Sequence, residues 1–309
     1  MMKKSLITFV LMLMAIAVNA QTSGVKISAK YQKGDNMLYR ITVVTNVTGK
    51  TINVNSETRY VVIDSSRKGY VIESTLEKTE TDAEANDMVG RLMNATTEIL
   101  KGTKVIVITD VDGKVTGIKN IDEIVEKSSK MIDTMFDELF AQLPSEASEM
   151  LSKDKLNASI MEQMNEKNII NSMIAEPSPL SLNGKIISTG STDMVEGVNG
   201  MKMKNTYTLT TPDAKKVKVT GKMDMNKEEM KKMIVDQVKK IMPQQAEMIE
   251  QNIDSVLDSG MFKFEKNQNA DYEFGNNGWL KTVDYSSTSN TMGQESRTKG
   301  KIELIESNR

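Results

Sequence analysis

The hydrophobic period of the chain changes in blocks, and this pattern constrains the fold more than any single motif. In residues 27–119 and 178–306, apolar and polar side chains tend to alternate, which is typical of strands with one buried face. In residues 120–176 and 226–260, apolar residues recur every three or four positions, as they do along an amphipathic helix. The helical residues 226–260 interrupt the second β-rich segment, so the predicted order is β, helices, β, helices, β.

Short turns separate the alternating stretches. "TRYVVID" and "GYVIESTLE" flank "SSRKG", and "GNNG" at 275–278 separates two further strands. Strands joined by tight turns pair in antiparallel fashion. The prediction is an α+β fold with antiparallel, curved, half-barrel-like sheets and long amphipathic, methionine-rich helical insertions. We expect residues 21–309 to form a single body, or alternatively two lobes.

The stretch "VIVITDVDGKVTGIKN" at 105–120 places two aspartates beside a glycine. An EF-hand loop that started at Asp110 would need a glutamate at position twelve, where Ile121 stands. Asp112-Gly113 is instead a favoured pair for a type I′ hairpin turn. The sequence therefore predicts a turn here and not a metal site.

Capping residues and prolines mark the predicted helix boundaries. A helix is expected over residues 120–143, another within 152–176, and a weaker pattern suggests one within 82–100. The predicted N-terminal caps are Asn120, Ser152 and the Asn226–Glu229 capping box, and the predicted breaks are Pro144 and Pro243.

The first residues resemble an export signal. Met1 to Lys4 is short and positive, residues 5–18 are apolar, and Val18-Asn19-Ala20 offers the small residues that signal peptidase requires. We predict that residues 1–20 are a signal peptide and that the mature protein is soluble in the periplasm or outside the cell. Without cysteine there is no lipid anchor, and we expect no transmembrane segment after cleavage.

The composition narrows the possible chemistry. The chain has no histidine and no cysteine, so a Ser-His-Asp triad, a thiol nucleophile and ordinary zinc sites are excluded. The net charge is −2 with both signs interspersed, which argues against nucleic-acid binding. We predict a protein that is not an enzyme and has no cofactor. We interpret the S-x-x-K match at Ser152 as a helix cap. We interpret Trp279 as a residue that covers the edge of a core and not as a residue on which a ligand stacks.

Methionine is abundant, with 24 residues. The pairs Met201/Met203 and Met223/Met225 could each bind Cu(I) through two sulfurs, but alternation along a strand also explains them as core residues. The methionines of the helices either pack against the sheet or form an adaptable apolar surface for a ligand. The residues of this candidate apolar surface are Met131, Met135, Phe136, Met164, Met230, Met233, Ile234 and Met242.

Four phrases occur in order along the chain: "YQKGDNMLYRITVVTNVTG", "VDGKVTGIKNIDEI", "PSPLSLNGKI" and "EFGNNGWLKTVDY". Together they resemble an uncharacterised family of exported, β-rich proteins of Bacteroidota. The resemblance implies an envelope location and a β-rich fold, and it brings no catalytic residues. By analogy, the periplasmic lipoprotein carriers curve a similar sheet around an apolar cavity.

These observations favour a binding protein of the envelope. The preferred hypothesis is a non-catalytic module for an apolar, lipid-like ligand or for a partner surface, such as another envelope protein. The alternative is a structural or protein-interaction component without a small ligand. A hydrolase that uses two carboxylates ranks third: the 42 acidic residues leave many pairs possible, but nothing in the sequence singles out one pair.

Overall fold

The computed structural model describes residues 24–47, 49–83, 101–141, 152–196, 202–241, 246–258, 264–291 and 294–308. Several sequence predictions fall outside these ranges: the signal peptide, nearly all of the helix within 82–100, Pro144, Pro243 and Met242.

The described residues form thirteen strands and five helices. The strands are β1 (Val25–Lys26), β2 (Asn36–Val47), β3 (Lys50–Ser66), β4 (Gly69–Thr81), β5 (Lys104–Thr109), β6 (Val115–Ile118), β7 (Ile186–Ile187), β8 (Thr192–Glu196), β9 (Lys202–Leu209), β10 (Lys216–Asp224), β11 (Phe264–Phe274), β12 (Leu280–Thr291) and β13 (Gln294–Ser307). The helices are α1 (Ile121–Phe140), α2 (Lys153–Gln163), α3 (Glu166–Ile174), α4 (Lys227–Ile241) and α5 (Ala246–Asp258).

Eleven strands form one open sheet in the order β6-β5-β4-β3-β2-β13-β12-β11-β10-β9-β8. Every adjacent pair is antiparallel, and β13 joins the two β-rich segments by pairing with β2 and β12. β1 and β7 form a separate two-stranded sheet. The predicted α+β fold with curved antiparallel sheets is confirmed. The edge strands of the eleven-stranded sheet are β6 and β8, and we call them its two margins.

Most predicted hairpins are present. β3 and β4 meet at Arg67-Lys68, and Gly275 to Gly278 form the tight turn before β12, with a hydrogen bond from Gly278 N to Gly275 O. The loop after β5 differs from the predicted type I′ turn, because Gly113 has a φ of +85° and Asp112 is not left-handed. Instead, Asp110 Oδ1 accepts from the amides of Asp112 (2.9 Å) and Lys114 (3.0 Å) and organises a longer loop.

The helix caps are partly as predicted. The Ser152 side chain accepts from Lys155 N, and Asn226 and Glu229 form a reciprocal capping box at 2.9 and 3.1 Å. The predicted capping role of the Asn120 side chain is wrong. Its Oδ1 accepts from Ile106 N and its Nδ2 donates to Lys104 O, because β5 runs alongside the start of α1 and offers free backbone groups.

The single helix expected within 152–176 is also wrong, since the chain forms α2 and α3 with a break at Met164 and Asn165. Asn165 accepts from Asn168 N and so caps a new helix in the middle of the apolar pattern. Asn has a strong preference for this position, which overrides the continuous spacing of apolar residues.

The main core lies on the inner face of the sheet. Trp279 is 1% exposed, stacks on Tyr31 with ring centroids 3.9 Å apart, and donates from Nε1 to Asp35 at 3.1 Å. Tyr39 and Tyr60 pack edge to face beside it. The interpretation of Trp279 as a core residue is therefore confirmed. Met203 and Met223 are also buried, as expected for strand residues that face a core.

Candidate functional site

The short helix α3 connects the two margins of the large sheet. At its start, Glu166 Oε1 accepts a hydrogen bond from the amide of Ile118, in β6, at 2.8 Å. The next residue, Lys167, forms an ion pair with Glu196, in β8, at 2.9 Å. Since β6 and β8 are at opposite ends of the strand order, the sheet must curve until its margins approach each other. We call the gap between them the seam.

A cavity of about 450 Å³ lies in the seam. Its walls are formed by residues from both margins, from α3 and from the loop after α3: Lys114, Val115, Asn171, Ile174, Leu180, Ser181, residues 183–187, residues 191–196 and Tyr207. We call it the seam cavity. A second hollow, of about 470 Å³, lies beside the turn at 275–278, but it is more open. Only the first of these two hollows is built around a buried charge, so it is the better candidate for a site.

Lys185 is the centre of a polar network in the wall of the seam cavity. Its ammonium donates to Tyr207 Oη at 2.7 Å, to Glu176 Oε1 at 3.1 Å and to Asp193 Oδ2 at 3.2 Å. Glu176 has a side chain that is 0% exposed, and it also accepts from Tyr207 Oη and from Asn205 Nδ2 at 3.1 and 3.0 Å. We call these five residues the Lys185 cluster.

Burial and charge pairing set the protonation of the cluster. Burial raises the pKa of Glu176 above its usual value, although the Lys185 ammonium opposes this. Burial alone would lower the pKa of Lys185, but the neighbouring Glu176 carboxylate outweighs it and the net pKa is raised. Burial and then Glu176 raise the pKa of Tyr207 to about 12. At neutral pH, Lys185 is therefore a protonated ammonium and Tyr207 a neutral phenol.

Three local features position the cluster. Glu176 follows the end of α3, and its carbonyl accepts from the buried Gln268 of β11 at 2.8 Å. Lys185 follows Gly184, whose φ of +75° turns the chain into β7. Tyr207 faces inward because side chains alternate along β9. The inward face of Tyr207 was predictable from this alternation, whereas nothing in the sequence signals that Glu176 and Lys185 meet it.

Two residues that line the seam cavity each carry one enclosed polar atom without a hydrogen-bond partner among the described residues. The atoms are Asn183 Oδ1 and Asn171 Nδ2. Asn183 is 3% exposed, and its own Nδ2 donates to Tyr31 Oη at 2.7 Å. The apolar part of the wall includes Leu180 and Ile187, which are almost fully buried. The wall thus combines aliphatic side chains with the polar Lys185 cluster.

The candidate apolar surface predicted from the sequence is divided among different places. Met230 and Ile234 pack in a small cluster between α4 and α5, together with Val235, Ile253 and Leu257. Phe136 is buried on α1 and contacts Phe140. The other described members, Met131, Met135, Met164 and Met233, are half-buried. None of the seven described members lines the seam cavity, and Met242 lies outside the described residues.

The described ranges contain no group of three or more acidic side chains arranged to hold a metal ion. Within the same ranges, no helix combines the length and the apolar character needed to cross a bilayer.

No protein-family model matches the chain, and no curated protein sequence does either. Among the solved structures with a similar backbone are the following two. One comes from work on lipid–protein interactions in lipovitellin, with 7% identity, a TM-score of 0.41 and coverage of 90% of this chain and 26% of that one. The other is a DUF1329 family protein from Desulfovibrio piger, with 8% identity, a TM-score of 0.23 and coverage of 89% and 87%.

The chain thus spans about a quarter of the length of the lipovitellin chain. Both likenesses are weak, and we transfer no ligand from either protein. The resemblance to an exported Bacteroidota family stays a prediction, as do the signal peptide and the envelope location.

Proposed function

We propose that this protein is a binding module that holds a small, largely aliphatic ligand in the seam cavity. The observation that carries the proposal is a cavity of about 450 Å³ whose wall combines aliphatic side chains with the polar Lys185 cluster. Ligand sites typically have volumes of roughly 300–1,000 Å³, with mostly apolar walls and a few polar groups that orient the ligand. The predicted export would place this binding in the periplasm or outside the cell.

The state of the Lys185 cluster favours binding over catalysis. A nucleophilic lysine must lose its proton near neutral pH, whereas pairing with Glu176 raises the pKa of Lys185. Glu176 and Asp193 both bond to this ammonium, so the cluster does contain two neighbouring carboxylates. Glu176, however, has no exposed side-chain surface, and Lys185, Tyr207 and Asn205 occupy its oxygens. A two-carboxylate hydrolase needs both groups to reach the substrate, so we rank this alternative below binding.

Docking of a partner protein is a second candidate function. Ile186 of β7 is 66% exposed and Met194 of β8 is 57% exposed, and both lie at the seam cavity. Exposed apolar side chains on strands at the margin of a sheet are common at protein interfaces. Here the residues that form the mouth of the cavity would contact the partner.

Calorimetric titration of the mature protein with octanol tests the proposal. We expect saturable binding of one molecule with a negative heat-capacity change, because apolar surface is buried. Val195→Trp places a large side chain in the wall of the seam cavity and should weaken binding at least about tenfold, which corresponds to roughly 1.4 kcal/mol. The matched control is Val44→Trp, because Val44 is an exposed strand residue that does not line this cavity.

The result that contradicts the proposal is equally specific. Octanol that fails to bind, or that binds with the same affinity to the Val195→Trp variant, would show that the seam cavity is not a ligand site.

A further inference from the structure

We infer that Lys266 anchors a second binding site, on the inner face of the large sheet, whose ligand is an oxyanion such as a phosphate or carboxylate group. The site consists of the Lys266 ammonium and the hydroxyl groups of Ser289 and Ser296. None of these three residues lines the seam cavity. The inference therefore goes beyond the function proposed above and does not depend on it.

Lys266 points to the inner face of the sheet but remains accessible. Side chains alternate along β11, and the next residues of the same face, Gln268, Ala270 and Tyr272, are all buried. The register of β11 with β10 and β12 is regular from Lys266 to Tyr272. Lys266 is half-buried, so its side chain is partly enclosed and still reaches solvent.

The sheet positions around Lys266 carry no acidic side chain on this face. Directly opposite Lys266 lie Met223 of β10 and Ser289 of β12. The other neighbours on the inner face are also uncharged, and they are Gly221, Phe264, Gln268, Ser287 and Thr291. The carboxylate of Glu176 is committed to the Lys185 cluster.

Lys266 therefore carries a charge that the described part of the chain does not compensate. Within the described ranges it forms neither an ion pair nor a hydrogen bond. Burial lowers the pKa of Lys266, and no neighbouring charge opposes this. Enclosing an unpaired charge costs free energy, so an anion supplied from outside would stabilise the ammonium.

Two serines extend the row of donors across the sheet. Ser289 is opposite Lys266, and Ser296 of β13 is opposite Ser289. Their hydroxyl oxygens are 3.3 Å apart, and both residues are half-buried. One hydroxyl proton makes the bond between them, which leaves the other proton to donate to a ligand. Adjacent strands are about 4.8 Å apart, so one ligand can contact the ammonium and a hydroxyl together.

This combination of groups selects an oxyanion. A cation would be repelled by Lys266, and a neutral ligand would leave its charge uncompensated. Phosphate and carboxylate groups supply a negative charge and several acceptor oxygens, and hydrogen bonds between ionised groups are stronger than neutral ones.

NMR of the mature protein labelled with [ε-13C]lysine tests the inference at the residue itself. The signal of Lys266 is identified by its loss in Lys266→Arg, which keeps the positive charge. Titration with inorganic phosphate, at constant ionic strength and near neutral pH, should shift this signal saturably. The bound anion should also raise the pKa of Lys266, because it opposes the effect of burial. Lys218, exposed on the outer face of β10, is the internal control, and its signal should not move.

Removal of the hydroxyls tests the second part of the site. Ser289→Ala combined with Ser296→Ala should weaken phosphate binding by about tenfold, because the ligand loses a hydrogen bond to a charged group. The matched control is Ser286→Ala, which removes a hydroxyl from the opposite face of β12 and should leave the affinity unchanged.

Octyl phosphate distinguishes a free oxyanion from the head group of an amphiphile. Tighter binding of octyl phosphate than of inorganic phosphate, seen at the Lys266 signal, would identify an amphiphile, and equal affinity would identify a free oxyanion. Octanol has the same tail without the charge and should not move this signal.

Three results would overturn the inference: no shift of the Lys266 signal with either phosphate compound, equal shifts of Lys266 and Lys218, or a shift with octanol as large as that with octyl phosphate. Binding of octanol in the seam cavity is measured separately by calorimetry, so the two proposals can fail independently. The wild-type titration needs only the assignment of Lys266, so a serine variant that does not fold leaves the test intact.

Discussion

Replacing Lys185 by methionine would leave the enclosed Glu176 carboxylate without its ammonium partner. Methionine keeps most of the length and volume of lysine, so the change removes the charge with little effect on packing. The Glu176 side chain is 0% exposed and that of Lys185 is 25% exposed, so the pair is buried on one side.

The expected loss follows from the cost of an unpaired buried charge. Removing one partner of a buried ion pair typically costs about 3–5 kcal/mol. The lower end, about 3 kcal/mol, applies here because Lys185 is partly solvated and because Asn205 and Tyr207 still donate to Glu176. For a chain of this size, a change of 1 kcal/mol shifts the Tm by roughly 2–4 °C, so we expect a decrease of roughly 6–12 °C.

The loss should depend on pH in a defined direction. Burial already raises the pKa of Glu176 above the ordinary value of 4.5, and removal of the ammonium raises it further. A carboxyl group whose pKa is higher in the folded than in the unfolded state stabilises the fold at a pH below its pKa in the unfolded state. It loses that contribution as the pH rises through its pKa in the folded state. The penalty of Lys185→Met should therefore be smallest near pH 4.5 and largest at neutral pH.

Urea unfolding at these two pH values, followed by the fluorescence of Trp279, measures the effect. Trp279 is the single tryptophan and is buried against Tyr31, so its emission reports loss of the core. The matched control is Lys239→Met, which breaks the exposed pair of Lys239 with Glu250 and should cost less than about 1 kcal/mol at both pH values.

A double variant gives an independent check on the same reasoning. Glu176→Met combined with Lys185→Met removes both charges and should recover most of the stability lost in the single variant. The reasoning is refuted if Lys185→Met costs less than about 1 kcal/mol at neutral pH, or if its cost is the same at both pH values.

Two further changes test backbone and capping. Gly278→Ala should destabilise the protein by about 2 kcal/mol or more, because the φ of Gly278 is +80° and a Cβ there would lie 2.6 Å from Ser28 O. Gly34 also has a positive φ, +92°, but has open space around it, so Gly34→Ala should cost only about 1 kcal/mol in the same urea titration. Equal losses would contradict the steric explanation. Asn226→Ala should cost about 1 kcal/mol and speed hydrogen exchange in the first turn of α4, because the amide of Glu229 loses its acceptor. Unchanged hydrogen exchange in that turn would show that the capping box is not needed.

The local parts of the fold were predictable from the sequence. The β3–β4 hairpin, the turn before Trp279 and the capping box of Asn226 each depend on residues close together in the chain, so short patterns specify them. The inward faces of β9 and β10 follow from alternation, and Val217 and Val219 are indeed buried.

The candidate site was not predictable, because it depends on the curvature of the whole sheet. Val115 and Asp193 line one cavity although they belong to strands at opposite ends of the sheet order. Glu176 is a charged residue in a loop, which normally predicts exposure to solvent. It is buried because Lys185 and Tyr207 hydrogen-bond to it in the folded protein. Sequence reasoning favoured the methionines because their spacing is visible locally. The spacing of Met230 and Ile234 reports the packing of α4 against α5.

The contacts of α3 with both sheet margins bear on self-association of the folded protein. Marginal strands carry backbone groups that can recruit a strand from another molecule and so begin a fibril. Glu166 occupies the amide of Ile118 on one margin, and Lys167 holds Glu196 on the other. Detachment of this nine-residue helix would free the amide of Ile118 and break the ion pair of Glu196 at the same time. We therefore expect self-association through the strand edges to depend on local opening at α3 more than on unfolding of the whole sheet.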